Sequence, residues 1–150
     1  MYSHGLIAPV VALILWSMVM LIWLYATRIP AMAAAKINPE QFKDDPNAAD
    51  KLPAGARRVA SNYNHLMEAP TIFYAVCFAL QFLGQTDPIN IGIAWTYVAL
   101  RVLHSLVQAT VNIIAIRFTI FILSSIALGA LAVHAAIGVG MVDGSFLHAG

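Results

Sequence analysis

An all-α integral membrane protein, a four-transmembrane-helix left-handed bundle, is the fold this sequence predicts, and three observations predict it. Hydrophobic residues make up 61% of the chain and charged residues only 10%, far from the roughly 25% charged content of soluble domains. The mean hydropathy is +0.79. At 150 residues the chain holds about four spans of ~20 residues each and no separate soluble domain, so 1–150 is expected to be a single membrane domain in contact with lipid. The net charge of +1, with no basic cluster interleaved with aromatics, excludes nucleic acid as a partner. Cys77 stands alone, without an intrachain disulfide partner or a neighbouring thiol for a metal, and is expected in the core. Motifs for phosphate cradling, zinc ligation or a serine triad are absent, and no metal site is expected.

The first span is expected over 6–27, an almost wholly apolar run with no charge before Arg28. A cleaved signal peptide is the competing reading, since Ala31 to Ala35 offers small residues for cleavage. It loses, because no basic residue precedes the run and the run exceeds the length of a signal core. Pro9 falls near the helix start, where proline is tolerated. Residues 30–56 change character: Lys36, Glu40, Lys43, Asp44, Asp45, Asp50 and Lys51 alternate in sign and are broken by Pro39, Pro46 and Pro53. That composition predicts a solvated loop with a short interfacial helix around Glu40 to Lys43. A loop of this length is a candidate lid.

The second span is expected over 56–84, with Pro70 inside it to bend the axis and free a carbonyl. At 100° per residue Arg57, Ser61, Asn64, His65 and Glu68 share one face of it. Ionisable groups carried to such depth usually face a bundle interior or a wet cavity; the plainer reading is a Glu68 ion pair that holds helices together. Gly84 to Pro88 is a turn. The third span, 91–116, carries Arg101, His104, Ser105, Gln108 and Asn112 within roughly 60° of one line, a polar stripe that must face inward. The fourth, 118–142, follows a tight hairpin at Arg117, and its glycines, alanines and serines suit close packing. His134 lies among alanines, where a histidine is more often hydrogen-bonded to a neighbour than a ligand. Residues 143–150 are a short tail.

Arg28, Lys36, Lys43, Lys51, Arg57 and Arg58 flank or fill the first loop, whereas the second loop and both tails have no lysine or arginine. The positive-inside rule then makes the first loop and the Arg117 hairpin cytoplasmic and puts both termini on the opposite side. At ~1.5 Å per residue, Glu68 lies roughly 15 Å below the cytoplasmic start of span two, and His104 and Gln108 about 12 to 18 Å below that end of span three. Asn64, His65, Glu68, Arg101, His104, Gln108 and Arg117 are therefore expected to line one pocket, open to the cytoplasm or the inner leaflet.

Residues 58–73, running Arg58-Val-Ala-Ser-Asn-Tyr-Asn-His-Leu-Met-Glu-Ala-Pro-Thr-Ile-Phe73, resemble the second-helix signature of the MAPEG family, the membrane-associated proteins in eicosanoid and glutathione metabolism. Arg101-Val-Leu-His104, with Arg117 sixteen residues after the first arginine, resembles the third helix and hairpin of its prostaglandin E synthase branch, and Asn38-Pro-Glu40 fits the first loop. The resemblance spans the whole chain. It implies a four-helix subunit of a homotrimer, with glutathione bound between subunits near the cytoplasmic face. Glu68, Arg101, His104 and Arg117 match the family's residues by type. His65 stands where an asparagine is usual, Asn64 and Ser61 where arginines often are, and Gln108 where there is a tyrosine. Phe118 and Phe121 replace a serine and a tyrosine that help to bind or activate the thiol, and Arg28 could supply the first-helix arginine.

Three functions are carried forward. The first is a glutathione-dependent transferase or peroxidase acting on a lipophilic electrophile, with Arg117 orienting the thiolate and Asn64, His65, Glu68, Arg101, His104, Gln108 and Arg28 binding the peptide. The second is a family member that has lost thiol chemistry and serves as a binding or structural subunit. The third is a haem or quinone carrier using His65 and His104.

Overall fold

The computed structural model describes residues 4–45 and 47–143. Pro46 and nearly all of the expected tail, 144–150, lie outside them. Among the described residues six α-helices follow in order: α1 Ile7–Ala34, α2 Gln41–Asp44, α3 Ala54–Glu68, α4 Pro70–Phe82, α5 Pro88–Ala109 and α6 Ile114–Gly138, with a 3-10 turn at Ala48–Lys51. No strand occurs among the described residues.

Three of these helices, α1, α5 and α6, are long and apolar enough to cross a membrane. The fourth rod is made of α3 and α4 together. Pro70 has no N–H to continue the ladder, yet Ala69 keeps helical dihedrals (φ −65°, ψ −39°), so the rod continues through it. Ala56, Val59, Asn62 and Leu66 of α3 are buried, and Pro70, Phe73, Cys77 and Leu80 of α4 continue the same seam at steps of three and four. The two pieces, 54–82, cover about 43 Å at ~1.5 Å per residue, enough for a ~30 Å hydrocarbon core.

The buried face of α1 is Val10, Leu13, Ser17, Met20 and Leu24, again alternating three and four. This is a 3.5-residue period, the one that left-handed packing at shallow crossing angles uses. α1 packs on α3, α4 and α5, and α4 and α5 pack on α6. Phe73 and Tyr97 stack at the centre with ring centroids 4.3 Å apart, and Cys77 is buried beside them.

Helix ends depart from expectation where local chemistry overrides hydropathy. α1 continues past Arg28 and carries Pro30 inside its last turns. α5 stops at Ala109 rather than near 116, because Asn112 takes a left-handed conformation (φ +53°) and its N–H donates to Val107 O at 2.7 Å. Asparagine tolerates that region better than most residues. The hairpin turn is therefore 110–113, and Arg117 lies inside the first turns of α6. The small residues of α6 serve close packing in part: Ala127 and Ala135 pack against the core and Gly138 leaves no room for a Cβ beside Gln85, whereas Gly129 has open space where a Cβ would stand.

At the other end of the bundle Asp87 caps α5, accepting from the Ile89 and Asn90 N–H groups at 2.9 and 3.1 Å, with Pro88 at the first helical position. Asp87→Ala is expected to destabilise the fold by about 1 kcal/mol, read as a lowered unfolding midpoint in detergent, and Asp87→Ser to recover most of it. His134 is hydrogen-bonded as its sequence setting suggested, Nδ1 to Asn90 Oδ1.

The first loop holds itself together through Lys43–Glu40 and Lys51–Asp45 ion pairs at 2.8 and 3.0 Å. The Lys51 ammonium and then the Asn47 N–H hold the Asp45 carboxyl below its ordinary 3.8. The folded pKa is depressed, so this contact contributes above pH ~3.8 and is lost as pH falls through the lower folded value. The protection factors of the amides in 47–52, taken against the intrinsic exchange rate at each pH, are accordingly expected to fall only below pH 4.

Candidate functional site

All the lysines and arginines of the chain except Arg101 gather at one end of the bundle, the end that carries the first loop and the α5–α6 turn. Three of them, Arg57 and Arg58 on α3 and Arg117 on α6, line a cleft of about 360 Å³ together with Ser61, Gln108 and Asn112. Arg57 Nη1 donates to Asp50 Oδ1 at 3.0 Å, which ties the loop to α3. Arg58 Nη1 donates to Thr110 O at 2.8 Å, and Arg117 Nη1 donates to Asn112 Oδ1. Of the three guanidiniums, only Arg57 meets a carboxylate among the described residues. The cleft is left with excess positive charge.

Its floor is a ladder between α3 and α5. Gln108 Nε2 donates to Ser61 Oγ at 3.0 Å, and one turn deeper Asn62 Nδ2 donates to Ser105 Oγ at 2.6 Å with both residues buried. Buried amides without partners are costly, so this pairing fixes the register of the two helices. Gln108 Oε1 and Arg117 Nε remain buried without a partner at the cleft wall. The N-terminus of α6 also lacks a side-chain cap, and its free N–H groups add to the positive field where Arg117 stands.

Arg117 is shared with a second, apolar pocket of about 240 Å³, lined by His65, His104, Ile114, Phe118 and Phe121. The two imidazoles meet edge to face with centroids 6.3 Å apart, and no described residue hydrogen-bonds to either ring. Phe118 and Phe121 are exposed on the outer side, so this pocket opens to the surroundings of the bundle. Phe121 is also the wall toward Arg101, whose guanidinium lies over its ring at 6.0 Å.

The single expected pocket is therefore divided. Gln108 and Arg117 meet in the polar cleft; His65, His104 and Arg117 meet in the apolar one. Arg101 belongs to neither and lines a separate cleft between α4, α5 and α6. Asn64 and Glu68 are exposed and line none of these clefts: the face they share looks out of the bundle, because Asn62 and Leu66 take the buried seam. Arg28 caps the loop instead, with its guanidinium 5.1 Å from the centre of the Phe42 ring. Arg58, Ser61 and Asn112 were missing from the expected binding set, although Ser61 shares the helix face of Arg57 and Asn112 ends the polar stripe of α5. The Asn62–Ser105 pair carried no sequence signal beyond polar residues on a buried seam.

The arrangement can hold a polar anion beside an apolar group, with one guanidinium between them. Comparison with known proteins bears on what it is for. No curated protein and no solved structure matches the chain. The family model described as MAPEG family matches residues 6–137, nearly the whole chain. By that match, the chain belongs to the MAPEG family.

Proposed function

We propose that this membrane protein binds glutathione, or a closely similar acidic thiol peptide, in the arginine-lined cleft and transfers it to a lipophilic electrophile held in the adjoining apolar pocket. The observation that carries the reading is the sharing of Arg117 by a polar cleft and an apolar pocket that opens outward. Glutathione has two carboxylates, which call for guanidiniums with unused donors; Arg58 and Arg117 have them. The thiol lies at the junction, where Arg117 stabilises the thiolate. The thiol proton leaves to water through the polar cleft, sulfur attacks the electrophilic carbon, and the leaving group departs with its bonding pair. With a hydroperoxide in place of the electrophile, two thiols give the disulfide, an alcohol and water.

Asn64 and Glu68 fit this reading through a homotrimer. Polar and charged groups on the outer face of a membrane helix need cover, and a neighbouring copy supplies it by turning that face toward its own cleft. Arg28 adds to the positive field at the same end. The arginine-rich end is the cytoplasmic one, so the polar cleft draws on a soluble thiol while the apolar pocket draws on the bilayer.

A second reading rests on Phe118 and Phe121: the apolar pocket presents no hydroxyl to the sulfur, as expected of a binding or structural subunit that has lost thiol chemistry. Conjugation assays separate the two. Purified protein in neutral detergent, given glutathione and a panel of lipophilic halides, epoxides and hydroperoxides, is expected to raise product formation over the uncatalysed rate. Saturable glutathione binding with no turnover on any of them supports the second reading instead.

A further inference from the structure

His65 and His104 meet edge to face in the apolar pocket, their ring centroids 6.3 Å apart. Both come from one chain, so the pair is complete whether or not a neighbouring copy covers Asn64 and Glu68. Neither ring has a hydrogen-bond partner among the described residues, and the pocket's other walls are Ile114, Phe118, Phe121 and the Arg117 side chain. An arginine keeps its proton in proteins, so the two imidazoles are the groups of this wall that can pass one on. Proton supply separates them. His65 is half-buried and lies one helical turn below Ser61, an exposed residue of the polar cleft. His104 is 5% exposed, and Gln108, one turn above it on α5, is 1% exposed. Water in the polar cleft therefore has a path to the His65 ring, whereas the column above His104 is closed to it.

We propose that His65 is the acid of the transfer reaction, and that the electrophile is one whose broken bond ends on oxygen, an epoxide or a hydroperoxide. The inference rests on the thiol reading of the adjoining cleft and adds to it the residue that serves the leaving group. A halide departs as a weakly basic anion and asks nothing of the pocket. An alkoxide is strongly basic, and among apolar walls it has to take a proton as its bond breaks. With an epoxide, the thiolate sulfur bonds to a ring carbon, the carbon–oxygen pair goes to oxygen, and His65 gives that oxygen its proton. The proton that the thiol lost to water reloads the ring through the polar cleft, so thiol and epoxide sum to a hydroxy thioether. With a hydroperoxide, sulfur bonds to the terminal oxygen, the oxygen–oxygen pair goes to the inner oxygen, and His65 protonates it to the alcohol. A second thiol then turns the sulfenic acid into disulfide and water. Arg117 stays with the sulfur throughout, and the two side chains divide the two ends of the reaction.

The test uses full-length protein in neutral detergent with saturating glutathione, turning over styrene oxide, cumene hydroperoxide or benzyl chloride. General acid catalysis contributes roughly 100-fold or more. His65→Asn, whose amide donates a hydrogen bond but gives up no proton, is expected to lower the epoxide and hydroperoxide rates at least tenfold more than the halide rate. Free imidazole is expected to restore part of the epoxide rate in His65→Ala, and pyrrole, of the same shape without a basic nitrogen, not to restore it. Should these variants fail to fold, the wild type carries the test: heavy water is expected to slow its epoxide reaction more than its halide reaction. Equal losses with all three substrates would overturn the proposal. So would a selective loss in His104→Asn with His65→Asn spared, or a wild type that turns over benzyl chloride alone. Those three results leave the thiol reading standing; turnover of none of the substrates would sink that reading and this proposal together.

Discussion

Replacing Arg117 by alanine is expected to weaken glutathione binding at least tenfold while leaving the helical bundle intact. The side chain stands in the first turns of α6, where the helix end is already positive and uncapped, so a cation there is unfavourable unless it meets an anion. It is only half-buried, and its protein partner is the neutral Asn112 amide. Removing it deletes a charged donor to the ligand and leaves no buried charge behind. A hydrogen bond to a charged group contributes about 1.5 to 3 kcal/mol, which corresponds to roughly 10- to 150-fold in affinity. Arg117→Lys should keep part of this, since an ammonium supplies charge without the paired geometry of a guanidinium. Titration calorimetry on the two variants, beside circular dichroism as a check on folding, decides it. Wild-type affinity in Arg117→Ala would remove this residue from the site.

Phe73→Ala is expected to cause the largest loss of stability of any single truncation in the core. The ring is fully buried, lies three residues past Pro70, and stacks on Tyr97 at an interplanar angle of 16°. In water-soluble cores Phe→Ala costs about 3 to 5 kcal/mol. Inside a membrane the gain from leaving water is absent, and the lost dispersion contacts and the cavity remain. About 2 to 4 kcal/mol is therefore expected, seen as a fall in the unfolding midpoint in detergent. Phe73→Leu should cost less than about 1.5 kcal/mol. A loss under about 0.5 kcal/mol for the alanine variant would mean that Phe73 does not stack on Tyr97 as described.

The helices were legible because their signals are one-dimensional. Helices α1, α5 and α6 are long and apolar enough to cross a membrane, and the polar stripe of α5 had to face inward; Arg101, His104, Ser105 and Gln108 are all buried. The α3–α4 rod was readable as one span because Pro70 removes a single hydrogen bond without redirecting the chain. What the sequence could not give was the rotation of α3 about its own axis. Asn64 and His65 are adjacent, yet one is exposed and the other turns into the apolar pocket, while Asn62 faces Ser105. A shift of one residue moves a side chain by 100°, more than enough to carry Glu68 out of the clefts. The hairpin end was misplaced for a similar reason: Asn112 stops α5 through its backbone conformation, which hydropathy does not register. The small-residue stripe of α6 suggested packing, and Ala127, Ala135 and Gly138 do pack within the chain, whereas Gly129 faces open space.

The central claim is that the arginine-lined cleft takes an acidic thiol peptide. Its most direct test is a calorimetric titration of folded, detergent-purified protein with glutathione, repeated with Arg117→Ala and Glu68→Gln. Saturable binding by the wild type, weakened in both variants, is the predicted result; the loss in Glu68→Gln is what the proposed homotrimer requires. Absence of binding up to millimolar glutathione, by protein shown to be folded, would contradict the account and leave a MAPEG-family bundle whose polar cleft serves another ligand.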